Sequence, residues 1–77
     1  MIALPKTKNE TSFAVAFADA TANFLDAMAT VGQERRDAIQ AAKRRLGDAA
    51  NYTDVEHEFD AVTSLLFSII RFERTEA

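Results

Sequence analysis

The chain has 77 residues, of which 48% are hydrophobic, and a formal net charge of -3 at pH 7. This composition describes one small globular domain and excludes a disordered segment. The chain has no cysteine and one histidine, so disulfides are excluded and structural zinc or iron–sulfur sites lack their usual ligands. Since a core of this size is only marginally stable by itself, we expect self-association to support it.

Residues 1–8 are predicted to form an extended N-terminal arm, because Pro5 has no amide proton and disfavours helical geometry at Leu4. The sequence shows no basic region followed by a long apolar run and no membrane span, so we expect neither a signal peptide nor a membrane protein. The absence of cysteine favours the cytoplasm. An excess of Arg over Lys and abundant alanine indicate a GC-rich bacterial or phage genome.

The first helix is predicted over residues 9–31. The side chain of Asn9 can cap the free amides of the first turn, and Gly32 can adopt the left-handed conformation that ends many helices. At helical spacing, one face carries an aromatic and apolar stripe that predicts the core. The stripe consists of Phe13, Phe17, Ala20, Phe24, Ala27, Met28 and Val31.

A second face of this helix is also apolar and consists mostly of small side chains, namely Ala14, Ala18, Ala22, Leu25 and Ala29. Small side chains let another helix approach closely, so this face is a candidate interface. The alternative is that alanine occurs there because it is the best helix former and costs little when exposed.

The second helix is predicted over residues 33–46. Its weaker apolar side is formed by Ala38, Ile39, Ala42 and Leu46. Gly47 either ends this helix or lies within a helix that continues to residue 51, at a cost of about 1 kcal/mol relative to alanine. Ala49 and Ala50 continue the apolar side, which favours the longer helix.

The third helix is predicted over residues 54–74, followed by a tail over 75–77. Thr53 and Glu56 have the spacing of a capping box, in which Thr53 caps forwards and Glu56 reaches back to the Thr53 amide. Its core face is predicted to contain Val55, Phe59, Val62, Leu66, Ile69 and Ile70. Leu65, Phe67 and Phe72 make the second half apolar almost all round, which indicates a surface for another chain.

Basic residues concentrate on the second helix, at Arg35, Arg36, Lys43, Arg44 and Arg45. They are candidates for contacts with phosphate or with an acidic partner. Helical periodicity points them in different directions, however, and one nearby aromatic residue gives little basis for base stacking. The simpler expectation is that the basic end of helix 2 lies beside the acidic start of helix 3 in an antiparallel pair.

Catalytic and metal-binding chemistry has little basis in the sequence. Asp54, His57 and Glu58 lie on one flank of helix 3 and could ligate a metal if a partner helix supplied more ligands. The chain has no Gly-rich phosphate loop, no cysteine nucleophile and no evident base beside a serine. We therefore predict no enzymatic activity, no catalytic residues, no cofactor and no metal.

These observations predict an all-α fold, a helical hairpin or three-helix unit over residues 9–74 that homodimerisation completes into a bundle. The predicted function is non-enzymatic protein binding, as an adaptor, a regulator or a phage- or plasmid-encoded inhibitor of a host protein. The candidate interface for self-association or a protein partner contains Leu65, Phe67, Ile70, Phe72, Ala14, Ala18 and Ala22. The alternatives are nucleic-acid or nucleotide binding through the basic second helix of a dimer, and a helical-bundle metalloprotein.

Overall fold

The structure, a computed structural model, describes the backbone of residues 5–76 and the side chains of residues 12–75. Three helices follow one another in the chain: α1 (Pro5–Ala29), α2 (Gly32–Asn51) and α3 (Glu56–Glu76). Residues 5–76 contain no strand. The all-α prediction, with three helices, is confirmed.

The start of the first helix differs from the prediction. α1 begins at Pro5 and not at Asn9, so residues 5–8 are helical where an arm was expected, and residues 1–4 lie outside the described residues. A proline is favoured at the first helical position, because its φ is already helical and its missing amide has no acceptor within the helix to lose. Pro5 was expected only to disfavour a helix, whereas it is the first residue of α1.

The turn between α1 and α2 is longer than predicted, since α1 ends at Ala29, two residues before its predicted end, and α2 begins at Gly32. Val31 is extended, with φ -139° and ψ 164°, and Gly32 has a positive φ of 65°. Glycine adopts this conformation without the steric cost that a Cβ atom would add. The left-handed conformation predicted for Gly32 is therefore confirmed, although Gly32 is the first residue of α2 and does not directly follow the end of α1.

α2 continues through Gly47 to Asn51, which is the longer of the two predicted alternatives. The extra turn buries Ala49 completely, and this burial offsets the low helix propensity of glycine. The Tyr52 amide closes the helix by donating to the carbonyl oxygens of Asp48 and Ala49, each at 3.1 Å.

The start of α3 also differs from the predicted capping box. The carbonyl of Val55 accepts hydrogen bonds from the amides of Glu58 and Phe59, so Val55, two residues beyond Thr53, is the capping position. The Val55 amide donates to the Thr53 hydroxyl oxygen at 3.0 Å. The Thr53 hydroxyl in turn donates to the carboxylate of Glu58, not of Glu56.

The core is built mainly from small side chains. α1 and α2 form an antiparallel hairpin, and α3 packs chiefly against α2. Alanine at the contact lets helix axes approach closely, and Leu46 and Ile69 are the largest fully buried side chains. The buried residues are Ala16, Ala20, Ala27, Ile39, Ala42, Leu46, Ala49, Val62 and Ile69.

Three residues that were predicted to be in the core are exposed instead. Val31 is 74% exposed because it lies in the turn after α1, and Met28 is 46% exposed at the edge of the buried face. Phe59 is 41% exposed, since it lies beside the buried side of α3 and not at its centre. Phe13, Phe17 and Phe24 pack against the core while remaining partly accessible.

Candidate protein-interaction surfaces

The side of α1 that faces away from the core is exposed and apolar. We call it the helix-1 face. Three of its larger side chains are about half accessible, Val15 at 51%, Leu25 at 58% and Met28 at 46%. The face includes the predicted interface residues and consists of Ala14, Val15, Ala18, Ala22, Leu25, Met28 and Ala29, all of them exposed.

α3 carries a second surface strip, mainly apolar and largely exposed, which we call the helix-3 seam. It consists of Phe59, Thr63, Phe67 and Ile70, spaced three or four residues apart and therefore on one side of the helix. Phe67 is 61% exposed and Phe59 is 41% exposed. Thr63 is exposed and Ile70 is half-buried.

The four predicted interface residues of α3 divide into two pairs. Phe67 and Ile70 belong to the helix-3 seam, whereas Leu65 and Phe72 pack against the core. The Phe72 ring meets the Phe24 ring edge to face, with centroids 5.7 Å apart. Phe59 is a seam residue that the sequence did not separate from the core, because its position on the helix wheel lies next to the buried stripe.

Exposed charges border the helix-3 seam. Glu56 and Asp60 lie in its first half, and Arg71 and Arg74 lie in its second half. None of the four side chains forms an ion pair with any residue that the structure describes. The acidic start and basic end of α3 also match its helix dipole, which favours these charges within one chain. All four charged groups remain accessible to another molecule.

The five basic residues of α2 are not gathered into one patch. Lys43 pairs with Glu73 at 2.7 Å. Arg35 lies over the Phe72 ring, with its guanidinium carbon 5.1 Å from the centroid, and donates from Nε to the Ala27 carbonyl at 2.9 Å. These contacts direct Arg35 and Lys43 inwards, towards the other two helices.

Arg45 lies on the side of α2 that faces α1. Its guanidinium pairs with Asp19 at 2.9 Å and with Asp48 at 2.7 Å. The hydrogen bonds to Asp19 and Asp48 raise the pKa of Arg45 above its usual value. The ion pairs of Lys43 and Arg45 thus run to Glu73, Asp19 and Asp48, and not to the acidic start of α3 as predicted.

Arg36 and Arg44 remain on the outer surface. Arg36 donates to the Gln33 side chain at 3.0 Å. Arg44 lines an open groove between α1 and α2, together with Asp19, Ala22, Asn23, Ala41 and Arg45. A phosphate-binding surface needs several cations on one face. In this groove the Asp19 carboxylate pairs with Arg45 and offsets part of the positive charge.

Within the described residues, no three His, Asp or Glu side chains come together in a group that could hold a metal ion. Asp54, His57 and Glu58 therefore do not assemble such a site within one chain. Among the same residues, no helix has both the length and the apolar character needed to span a bilayer.

No family model matches this chain, and neither the curated proteins nor the solved structures include a match to it. The fold and its surface define an all-α, three-helix protein with exposed apolar sides on its first and last helices.

Proposed function

We propose that this protein is a non-enzymatic interaction protein that self-associates through α3 and binds another protein, as an adaptor, a regulator or an inhibitor. The observation that carries the proposal is the exposure of the helix-3 seam, with Phe67 61% and Phe59 41% accessible. Contiguous exposed apolar surface is typical of protein-interaction sites, and aromatic side chains are enriched at the centres of interfaces.

The small core supports self-association. Five of the nine buried residues are alanines, and each contributes less burial of apolar surface than a larger side chain would. Removing one exposed Phe side chain from water stabilises a structure by about 1.5–3 kcal/mol. Pairing of two seams would therefore add a few kcal/mol of stability, about the amount that the core of a single small domain lacks.

The helix-1 face supports a second contact, with a different protein. Its small side chains, Ala18 and Ala22 among them, leave the backbone of α1 accessible to close approach by a partner helix. Leu25 and Val15 supply larger anchors near its two ends. An amphipathic helix or an apolar groove of another protein would complement such a face.

Light scattering on the purified chain tests self-association. We expect a dimeric mass for the wild type and a monomeric mass for Phe67→Arg, since the substitution places a charge at the centre of the helix-3 seam. Ser68→Arg is the matched control, because Ser68 is the next residue and is exposed on the polar side of α3. A monomeric wild type, or equal effects of the two substitutions, would contradict the proposal.

Affinity capture from the source cell tests the second contact. We expect a protein that is retained by the wild type and by Gln40→Arg, an exposed control on α2, and lost with Leu25→Arg. The Leu25→Arg variant should keep the wild-type mass in light scattering, which separates partner binding from self-association. Equal capture by all three chains would contradict binding of a partner through the helix-1 face.

A further inference from the structure

We infer that the helix-3 seam is covered by the same seam of a second copy, with the two α3 helices antiparallel and in one defined register. In this register Asp60 lies beside the partner's Arg71, and Glu56 lies beside the partner's Arg74. The inference rests on the proposed self-association and adds its direction and its residue pairing.

The sizes of the seam side chains indicate the register of the two α3 helices. Thr63 has a small side chain and lies between Phe59 and Phe67, one turn away in each direction. Two antiparallel seams interdigitate when the Phe67 ring of each copy fills the space over Thr63 of the other, as a knob fills a hole in helix packing. The same register brings Phe59 against the partner's Ile70.

The charged residues beside the seam support the same register. By helical periodicity, Asp60 and Arg71 project along the same border of the seam, and Glu56 and Arg74 lie in line with it at its two ends. With Thr63 opposite the partner's Phe67, each acidic residue falls opposite a basic residue of the other copy. Two-fold symmetry makes every such contact twice, and all four side chains are exposed and free of ion pairs within the described residues.

A parallel pair of α3 helices has the opposite electrostatics. It would place Glu56 beside the partner's Glu56 and Arg74 beside the partner's Arg74, while Asp60 and Arg71, which share one border of the seam, would face the partner's opposite border and lose their pairing. Like charges in direct apposition disfavour an arrangement and exclude wrong partners. The charges of α3 therefore select the antiparallel dimer, while the apolar seam supplies most of the affinity.

Charge reversal tests the pairing. We expect Asp60→Arg or Arg71→Asp alone to raise the dimer dissociation constant about tenfold, since two attractive contacts per dimer become repulsive. The double variant Asp60→Arg/Arg71→Asp should return close to the wild-type value, because the pairing is restored with its signs exchanged. Arg44→Asp is the control for Arg71→Asp, with the same charge change on α2, and should leave the dissociation constant unchanged.

Cross-linking tests the direction, and the cysteine-free chain makes introduced thiols unique. In the antiparallel dimer the two copies of position 56 lie about 27 Å apart, from about 18 residues at 1.5 Å each. A short bis-maleimide should therefore not link two copies of Glu56→Cys. It should link Glu56→Cys/Arg74→Cys into a covalent dimer, because each end of the seam then holds one thiol from each copy.

The outcomes separate this inference from the proposed function. Efficient cross-linking of Glu56→Cys alone, or no rescue by the double charge reversal, would overturn the antiparallel register. Self-association would still stand in that case, provided that Phe67→Arg is monomeric. A monomeric wild type would overturn both.

Discussion

Phe24 of α1 and Phe72 of α3 meet edge to face, with ring centroids 5.7 Å apart and planes inclined by 80°. This contact joins the first and last helices, which otherwise touch little because α3 packs chiefly on α2. The Arg35 guanidinium lies over the same Phe72 ring at 5.1 Å, so residues from all three helices meet at one aromatic side chain. Phe72 therefore helps the buried residues Val62 and Ile69 to hold α3 in the orientation that leaves Phe67 exposed.

Replacement of Phe72 by alanine tests this role. We expect Phe72→Ala to lower the free energy of unfolding by about 2–3 kcal/mol, below the usual cost for a fully buried Phe because the ring is half-buried. Phe67→Ala removes the same atoms from an exposed position and should cost less than about 1 kcal/mol in the monomer. Urea unfolding at protein concentrations low enough to dissociate any dimer measures both. Similar losses for the two variants would show that Phe72 does not join the helices.

Sequence periodicity predicted α3 and its apolar character, but not which flank of the helix faces inwards. Leu65 and Phe72 lie on one side of the buried stripe, and Phe59 and Phe67 lie on the other. On the helix wheel the two flanks are equivalent. The flank with Leu65 and Phe72 is buried because α1 and α2 pack on that side, and the other flank stays exposed. This packing is a property of the tertiary structure and cannot be read from the periodicity of one helix.

Helix ends were harder to predict than helix faces for a related reason. Pro5 is compatible with a helix start as well as with an extended arm, and Thr53 can accept a hydrogen bond from more than one nearby amide. The local sequence offers several capping arrangements of similar free energy. Packing of the helix bodies, such as burial of Ala49 beyond Gly47, decides among them.

The two glycines give predictions of opposite sign. Gly47 lies within α2, and an added Cβ would meet no atom within 4 Å. We therefore expect Gly47→Ala to raise the free energy of unfolding by about 1 kcal/mol, since alanine has the higher helix propensity. At Gly32, where φ is +65°, Gly32→Ala should instead cost about 1 kcal/mol, because a Cβ atom is strained in the left-handed region.

Thermal unfolding of the two variants beside the wild type measures this difference. Gly32→Asn serves as a control, because asparagine tolerates a positive φ better than alanine and should lose less stability. Destabilisation by Gly47→Ala would show that α2 does not run unbroken through this position.

Removal of the Thr53 hydroxyl tests the start of α3. The hydroxyl accepts from the Val55 amide at 3.0 Å and donates to Glu58, so Thr53→Ala leaves the amide of the capping residue Val55 without its acceptor. We expect a loss of about 1 kcal/mol in urea unfolding, as for other helix-start hydroxyls. Thr53→Ser keeps the hydroxyl and should retain most of the stability. Equal losses would assign the effect to the Thr53 methyl group and not to the hydrogen bonds.

The ion pair between Lys43 and Glu73 ties the middle of α2 to the last turns of α3 at 2.7 Å. Both side chains are substantially exposed, at 38% and 45%, so we expect a coupling of only about 0.5 kcal/mol in a double-mutant cycle with Lys43→Met and Glu73→Gln. High salt should remove this coupling, because screening acts on exposed charges. A coupling that persists in 1 M salt would mean that the two side chains are held together by packing. Since the pair is weak, Phe72 and not this contact should decide the orientation of α3, and the Lys43→Met variant should keep the wild-type mass in light scattering.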